Sequence, residues 1–185
     1  MTREVRQKVV ESFGGAPAKL SLALRGFPKK MWLYKPAPER WSIHEIIVHL
    51  ADSEASGYVR CRRFIAEPGK SEAEFDAARW ARSLGYYYQS TREALEIIRR
   101  LRKMTYQLLV SLPEPVWSHR VENPIDGNAS LEDWVERQER HIPHHIEEMK
   151  QNYEVWLSTH PPRKSASSLP RPTAPARMIS LSAGI

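Results

Sequence analysis

The stretch from Leu131 to Leu157 places apolar side chains three or four residues apart, which predicts one long amphipathic helix. Two histidines, His141 and His145, fall on its apolar side one turn apart, whereas His144 points away. A helix that turns two imidazoles inward needs other elements to surround them, so this stretch predicts a helical fold with a polar site inside it. The predicted inward residues are Leu131, Trp134, Val135, Gln138, His141, Ile142, His145, Met149, Tyr153 and Trp156.

A second long helix is predicted from Ser42 to Ala66. Ser42 and Glu45 form a capping box, in which each side chain satisfies a backbone N–H of the first turn. His49 lies at the edge of the apolar stripe of this helix, and Glu54 lies inside the stripe, an unusual position for a carboxylate. We therefore expect His49 to be the imidazole that faces the pair on the last helix.

Two further helical regions complete the predicted fold. Residues 3–13 form a short amphipathic piece that we expect to end at Gly14 and Gly15, with helical spacing resuming at about Pro17. A third main helix is predicted from Tyr87 to Leu112, with its basic residues in solvent, after a long connection over residues 67–86. Those basic residues are Arg99, Arg100, Arg102 and Lys103.

The predicted class is thus all-α, a four-helix bundle with long crossover loops over residues 1–159. Residues 160–185, rich in Pro, Ser and Arg, are predicted to be a flexible tail. Four of the 28 basic residues and none of the 22 acidic ones lie in that tail, which leaves a net charge of only +2 on the bundle. This near neutrality argues against a nucleic-acid surface on the domain.

Composition also favours a cytoplasmic protein. The single cysteine, Cys61, excludes an internal disulfide framework and fits a reducing compartment. No apolar run has the length of a membrane span, and the N-terminus lacks the apolar region of a signal peptide. We therefore expect no membrane partner.

Three imidazoles on two helices predict a metal site. One histidine on an apolar face is more often a hydrogen-bonded core residue, but a pair four residues apart with a third candidate favours metal binding. Three neutral nitrogen ligands leave coordination positions open, which is typical of a reactive site rather than a closed structural one. We expect a divalent metal, Zn or Ni first, with Fe or Mn as alternatives.

Three polar residues are candidates for supporting roles. Glu54 could act as a catalytic base, contact a ligand histidine or bind the metal, and a buried ion pair with an arginine is an equally good interpretation. Gln138, one turn before His141, and Ser53, one turn after His49, are candidate hydrogen-bond partners of the ligands.

The sequence resembles the DinB/YfiT-like superfamily. The resemblance rests on the segment Trp41–Glu54 and on the later histidine cluster from His141 to His145. Residue pairs Phe75-Asp76 and Trp80-Ala81 and the segment 124–127 add to it. It implies a bundle with up-down-down-up connectivity and a divalent metal on His49, His141 and His145, with His144 as a non-ligand.

The resemblance also implies a function. Relatives include bacillithiol S-transferases and a mycothiol-dependent isomerase, so we expect a metal-dependent enzyme of the S-transferase or hydrolase type that activates water or a low-molecular-weight thiol for a small-molecule substrate. A non-catalytic, metal-containing stress-response or binding protein is the alternative, as is a degenerate member without metal. Relatives often form homodimers, and the resemblance implies one here.

The sequence departs from the family pattern in the last helix. Pro143 lies between the two ligand histidines, where it removes the hydrogen bond to the Glu139 carbonyl and is expected to kink the helix. Glu147 and Glu148 replace a glutamine that is frequent in the family.

Overall fold

The computed structural model describes residues 1–71, 76–123 and 127–161. Within these ranges the chain forms five α-helices and one β-hairpin. The helices are α1 (Arg3–Arg25), α2 (Ile43–Ala66), α3 (Ala77–Ser83), α4 (Thr91–Leu109) and α5 (Leu131–Thr159), and the hairpin pairs β1 (Arg120–Asn123) with β2 (Gly127–Ser130) in antiparallel register. The predicted tail, apart from its first two residues, lies outside the described residues, as do Phe75 and residues 124–126.

Helices α1, α2, α4 and α5 form a four-helix bundle with up-down-down-up connectivity, as predicted. The connectivity follows from two separate apolar clusters. One cluster joins the first part of α2 to the first part of α4 and to the later parts of α1 and α5. The other joins the end of α2 to the end of α4 and to the early parts of α1 and α5. Hence α2 and α4 run parallel to each other and antiparallel to α1 and α5.

A layer of buried polar side chains separates the two apolar clusters. Ser53 and Glu54 reach it from α2, and Arg102 and Thr105 reach it from α4; all four are less than 9% exposed. Polar groups at this depth are costly unless they bond to one another or to the backbone. This polar layer adjoins a group of three histidines, because Ser53 contacts one of them.

The N-terminal helix differs from its prediction. Helix α1 is continuous through Gly14, Gly15 and Pro17, and does not end at the glycines. Its buried side continues without a break because Gly14 packs against helix α4: a Cβ there would lie 2.5 Å from Cδ2 of Tyr106. The glycine is therefore a point of close helix contact rather than a helix end.

The region before and within α4 also differs. The predicted long connection contains the short helix α3, which Asp76 caps through its side chain. Helix α4 begins at Thr91, after the capping residue Ser90, rather than at Tyr87. Arg102, predicted to lie in solvent, is fully buried. Its burial is the largest error of the helical-face prediction.

The helix starts are well explained by local chemistry. Ser42 opens α2 with the predicted capping box: its hydroxyl accepts from the Glu45 N–H at 3.2 Å, and Glu45 accepts from the Ser42 N–H at 2.9 Å. Ser130 opens α5 in the same way with Asp133. Among the described residues, none of the helices combines the length and the apolar character that crossing a membrane requires.

Candidate metal centre

Three imidazoles meet between α2 and α5, just above the polar layer. His49 comes from α2, and His141 and His145 come from α5. The Nε2 atom of His141 lies 3.4 Å from Nε2 of His49 and 3.1 Å from Nε2 of His145, and one ring nitrogen from each histidine falls within 4.8 Å of the others. The structure thus brings together the three histidines that the sequence proposed as ligands.

The Nδ1 atoms of His141 and His145 contact oxygen atoms, which fixes how these two rings are turned. The Nδ1–H of His145 donates to the Glu148 carboxylate at 2.6 Å, since a carboxylate can only accept. That tautomer leaves a lone pair on Nε2, directed toward the other two rings. The Nδ1 atom of His141 lies 3.5 Å from the hydroxyl of Ser53. Contacts of this kind orient metal-binding histidines and increase their basicity.

Burial keeps two of the imidazoles neutral. It lowers the pKa of His49 to about 3, with a further contribution from the neighbouring His145. Burial likewise lowers the pKa of His141 to about 2, followed by the effects of His145, His49 and Arg102. Because a histidine must be neutral to bind a metal, these two need to release no proton at pH 7.

Two of the three separations between these nitrogens fit a small divalent cation, and the third is at most 4.8 Å. A tetrahedral zinc with bonds of 2.0–2.1 Å would set its nitrogen ligands about 3.3 Å apart. The observed separations of 3.1 and 3.4 Å bracket that value. Each neutral imidazole offers one lone-pair nitrogen, so a cation among the three rings would be held by three nitrogen donors. The donor set is compatible with several transition metals and does not select one.

Trp41 covers one side of the histidine cluster. Its ring lies 4.7 Å from the ring of His49 and stacks at 6.4 Å on that of His145, as measured between centroids. Beside it is a cavity of about 170 Å³, which adjoins the cluster through Glu148. The cavity is lined by Glu39, Arg40, Trp41, Ile46, Glu148 and Asn152. The cavity thus reaches Trp41 and Glu148, which contact the histidines, whereas none of the three histidines lines it.

Glu54 pairs with a buried arginine. Both of its carboxylate oxygens accept hydrogen bonds from Arg102. Of the two interpretations given for Glu54, the structure therefore agrees with the buried ion pair. Burial raises the pKa of the Glu54 carboxyl, while the guanidinium of Arg102 opposes that rise. Glu54 is not among the residues whose ligand atoms converge on the candidate metal position within the described part of the chain.

The remaining predicted residues lie close to the cluster. Ser53 is in contact with His141, as described. Gln138 is partly buried. It interacts with the polar layer through its backbone carbonyl, which accepts a hydrogen bond from Nη1 of Arg102 at 3.3 Å. His144 is exposed, and it is not among the three histidines whose ring nitrogens converge; its ring lies 5.4 Å from that of His145, and its Nε2 atom lies 3.5 Å from Oε1 of Glu148. Helix α5 is continuous across Pro143, and His141 and His145 still converge.

Three residues around the site were not predicted. Glu148 could have been found from its position three residues after His145, one turn along the same helix face. Trp41 precedes the capping box, but nothing in the sequence places its ring on the histidines. Arg102 lies among other basic residues in a pattern typical of a solvent-exposed face, which concealed its burial.

Comparisons with known proteins agree with this architecture. The DinB superfamily model matches residues 13–149. Two curated relatives, from Oceanobacillus iheyensis and Halalkalibacterium halodurans, both carry the name "putative metal-dependent hydrolase". The first is 27% identical over 57% of this chain and 61% of its own, and the second is 22% identical over 60% and 64%. The chain therefore spans a little over three fifths of the length of these relatives.

Two solved structures share the fold. YfiT from Bacillus subtilis, described as "a probable metal-dependent hydrolase with an unusual four-helix bundle topology", superposes with a TM-score of 0.77 at 19% identity, over 83% of this chain and 89% of its own. A mycothiol-dependent maleylpyruvate isomerase gives a TM-score of 0.61 at 14% identity, over 86% and 68%. At these identities the likeness concerns the fold alone.

Proposed function

The chain belongs to the DinB superfamily, and on that premise we propose that it is a divalent-metal-dependent enzyme of the hydrolase type. The convergence of three ring nitrogens within 4.8 Å is the observation that carries this proposal. In it, His49, His141 and His145 hold the metal. The names of the two curated relatives support hydrolysis as the reaction class.

The chemistry of the site follows from its donor set. A divalent metal bound there lowers the pKa of a coordinated water or thiol, which supplies a nucleophile at neutral pH. Glu148 keeps His145 in the tautomer that binds through Nε2. Ser53 contacts the ring of His141 from the other side of the cluster. Trp41 shields two of the rings from solvent, and the cavity lined by Arg40 and Glu148 receives the substrate.

A thiol-dependent transfer reaction is the second candidate. The solved structure with a TM-score of 0.61 is a mycothiol-dependent isomerase, so the same bundle serves thiol chemistry in that protein. Here a low-molecular-weight thiol would take the place of water as the activated group. The two candidates share the metal ligands and differ in the nucleophile that the cavity admits.

Activity assays on defined metal forms test both candidates. Protein loaded separately with Zn²⁺, Ni²⁺, Fe²⁺ or Mn²⁺ would be assayed with chromogenic carboxylic, phosphoric and amide substrates, and in parallel with small thiols and a haloarene. We expect metal-dependent turnover of one substrate group, reduced to the rate of the metal-free protein in His145→Ala and His49→Ala.

The control is His144→Ala, which removes an exposed imidazole that contacts Glu148 and the His145 ring but is not among the three histidines that converge in the described part of the chain. It should retain wild-type turnover. Equal turnover in the wild type, His145→Ala and the metal-free protein would contradict an enzymatic role for the centre. Hydrolysis without any thiol reaction, or the reverse, would decide between the two candidates.

A further inference from the structure

Arg102 occupies the centre of the bundle and contacts all three neighbouring helices. It is fully buried on α4. Its Nε atom lies 3.0 Å from each carboxylate oxygen of Glu54 on α2, and Nη2 donates to the same carboxylate. Its Nη1 atom lies 3.4 Å from the Phe13 carbonyl of α1 and 3.3 Å from the Gln138 carbonyl of α5. One guanidinium therefore links the four helices of the bundle.

The two backbone contacts fall where prolines have altered the helices. Pro17 has no N–H to donate to the Phe13 carbonyl, and Arg102 donates to that carbonyl instead. Pro143 likewise leaves the Glu139 carbonyl without its helical donor, and Arg102 bonds the carbonyl immediately before it, that of Gln138. The arginine thus supplies donors to the two helices that contain internal prolines.

The same contacts flank one candidate metal ligand. Gln138 lies one turn before His141 on α5, and Glu54 directly follows Ser53, whose hydroxyl is 3.5 Å from Nδ1 of His141. Arg102 bonds to Glu54 and to Gln138. It therefore links the segment of α2 that contacts the His141 ring to the segment of α5 that carries it.

We propose that the Arg102–Glu54 pair positions the metal centre by holding α2 and α5 at the separation at which His141 of α5 meets His49 of α2. The inference rests on the metal-binding role proposed above. A buried ion pair adds little net stability over apolar side chains of similar volume, so stability alone does not account for it. Charge balance is consistent with the role, because Glu54 neutralises a cation that would otherwise repel a metal ion nearby.

Two variants and a control test this role. Arg102→Lys keeps the charge but cannot reach all three helices from one ammonium group. The double variant Arg102→Met with Glu54→Met removes both charges at similar volume. The control, Arg100→Met, removes an exposed arginine of the same helix that pairs with Glu96 at the surface. Each protein is characterised by its helical circular dichroism, by its cooperative unfolding without metal, and by titration with Co²⁺, whose visible spectrum reports coordination geometry.

We expect both test variants to fold without metal, to bind Co²⁺ about 10–100-fold more weakly than the wild type and to show an altered cobalt spectrum. The control should stay within about twofold of the wild type and keep its spectrum. Test variants that fold and give wild-type affinity and spectrum would overturn the inference. Loss of folding in both test variants would also overturn it, because Arg102 would then serve the bundle as a whole. Wild-type protein that binds no Co²⁺ would instead refute the proposed function.

Discussion

Replacing Glu148 with glutamine should weaken metal binding without removing a ligand. The carboxylate of Glu148 accepts the Nδ1–H of His145 at 2.6 Å, and this bond lowers the pKa of Glu148. A negative acceptor at that distance fixes the ring and increases electron density on Nε2. Glutamine retains an acceptor oxygen and nearly the same shape, so Glu148→Gln removes mainly the charge.

The expected loss of affinity is about 10-fold for Glu148→Gln and up to about 100-fold for Glu148→Ala, which correspond to roughly 1.4 and 2.7 kcal/mol. Glutamine should lose less because it can still accept the bond, whereas alanine leaves the ring free to turn. The assay is competition for Zn²⁺ against a chelator of known affinity, with protein stability measured in parallel.

Glu147→Gln is the matched control. Glu147 is the adjacent residue, is exposed and pairs with Lys150 at 3.1 Å rather than with a histidine. Its substitution makes the same change of charge one residue away, and zinc affinity should stay within about twofold of the wild type. If Glu148→Gln matched Glu147→Gln in affinity, the proposed role of the His145–Glu148 bond would be refuted.

Two further predictions concern the metal-free protein. A histidine in the unfolded chain has a pKa near 6.5, whereas burial in the folded protein lowers the pKa of His49 to about 3 and that of His141 to about 2. Below pH 6.5 the unfolded chain therefore binds more protons than the folded protein does. The free energy of unfolding should fall as the pH decreases, by up to about 2.7 kcal/mol per pH unit for the two residues together. Urea unfolding from pH 7 to 5 measures this, and a flat profile would contradict it. Gly14→Ala should destabilise by about 1–3 kcal/mol through contact with Tyr106, whereas Gly15→Ala, which meets nothing within 4 Å, should stabilise by about 0.5–1 kcal/mol. Equal effects in denaturant unfolding would refute the close contact.

Local chemistry made most of the bundle predictable from the sequence. The capping box at Ser42 marked the start of α2, and the apolar spacing of α5 identified the side that carries His141 and His145. Each signal lies within a single helix, so neither needs knowledge of the neighbouring helices. The fold class and its connectivity, implied by family resemblance, are confirmed by the solved structures that match.

Features that depend on contacts between helices could not be predicted in this way. The Gly14-Gly15 pair lowers helix propensity and therefore predicted a helix end, but Gly14 admits the ring of Tyr106, which is distant in sequence. Arg102 has the sequence surroundings of a solvent-exposed residue, and its burial depends on partners from other helices: Glu54, two backbone carbonyls and the ring of Phe13. The stacking of Trp41 on the histidines has the same origin, since it depends on how the segment before α2 folds against α5.

Direct measurement of metal stoichiometry tests the three-histidine centre most sharply. Purified protein would be stripped with a chelator, equilibrated with Zn²⁺ and analysed for metal by mass spectrometry, beside His49→Ala, His145→Ala and the exposed control His144→Ala. One equivalent per chain in the wild type and in His144→Ala, with less than about a tenth of that in the other two, is the predicted result. Equal zinc in all four proteins, or none in the wild type, would contradict a metal centre formed by His49, His141 and His145.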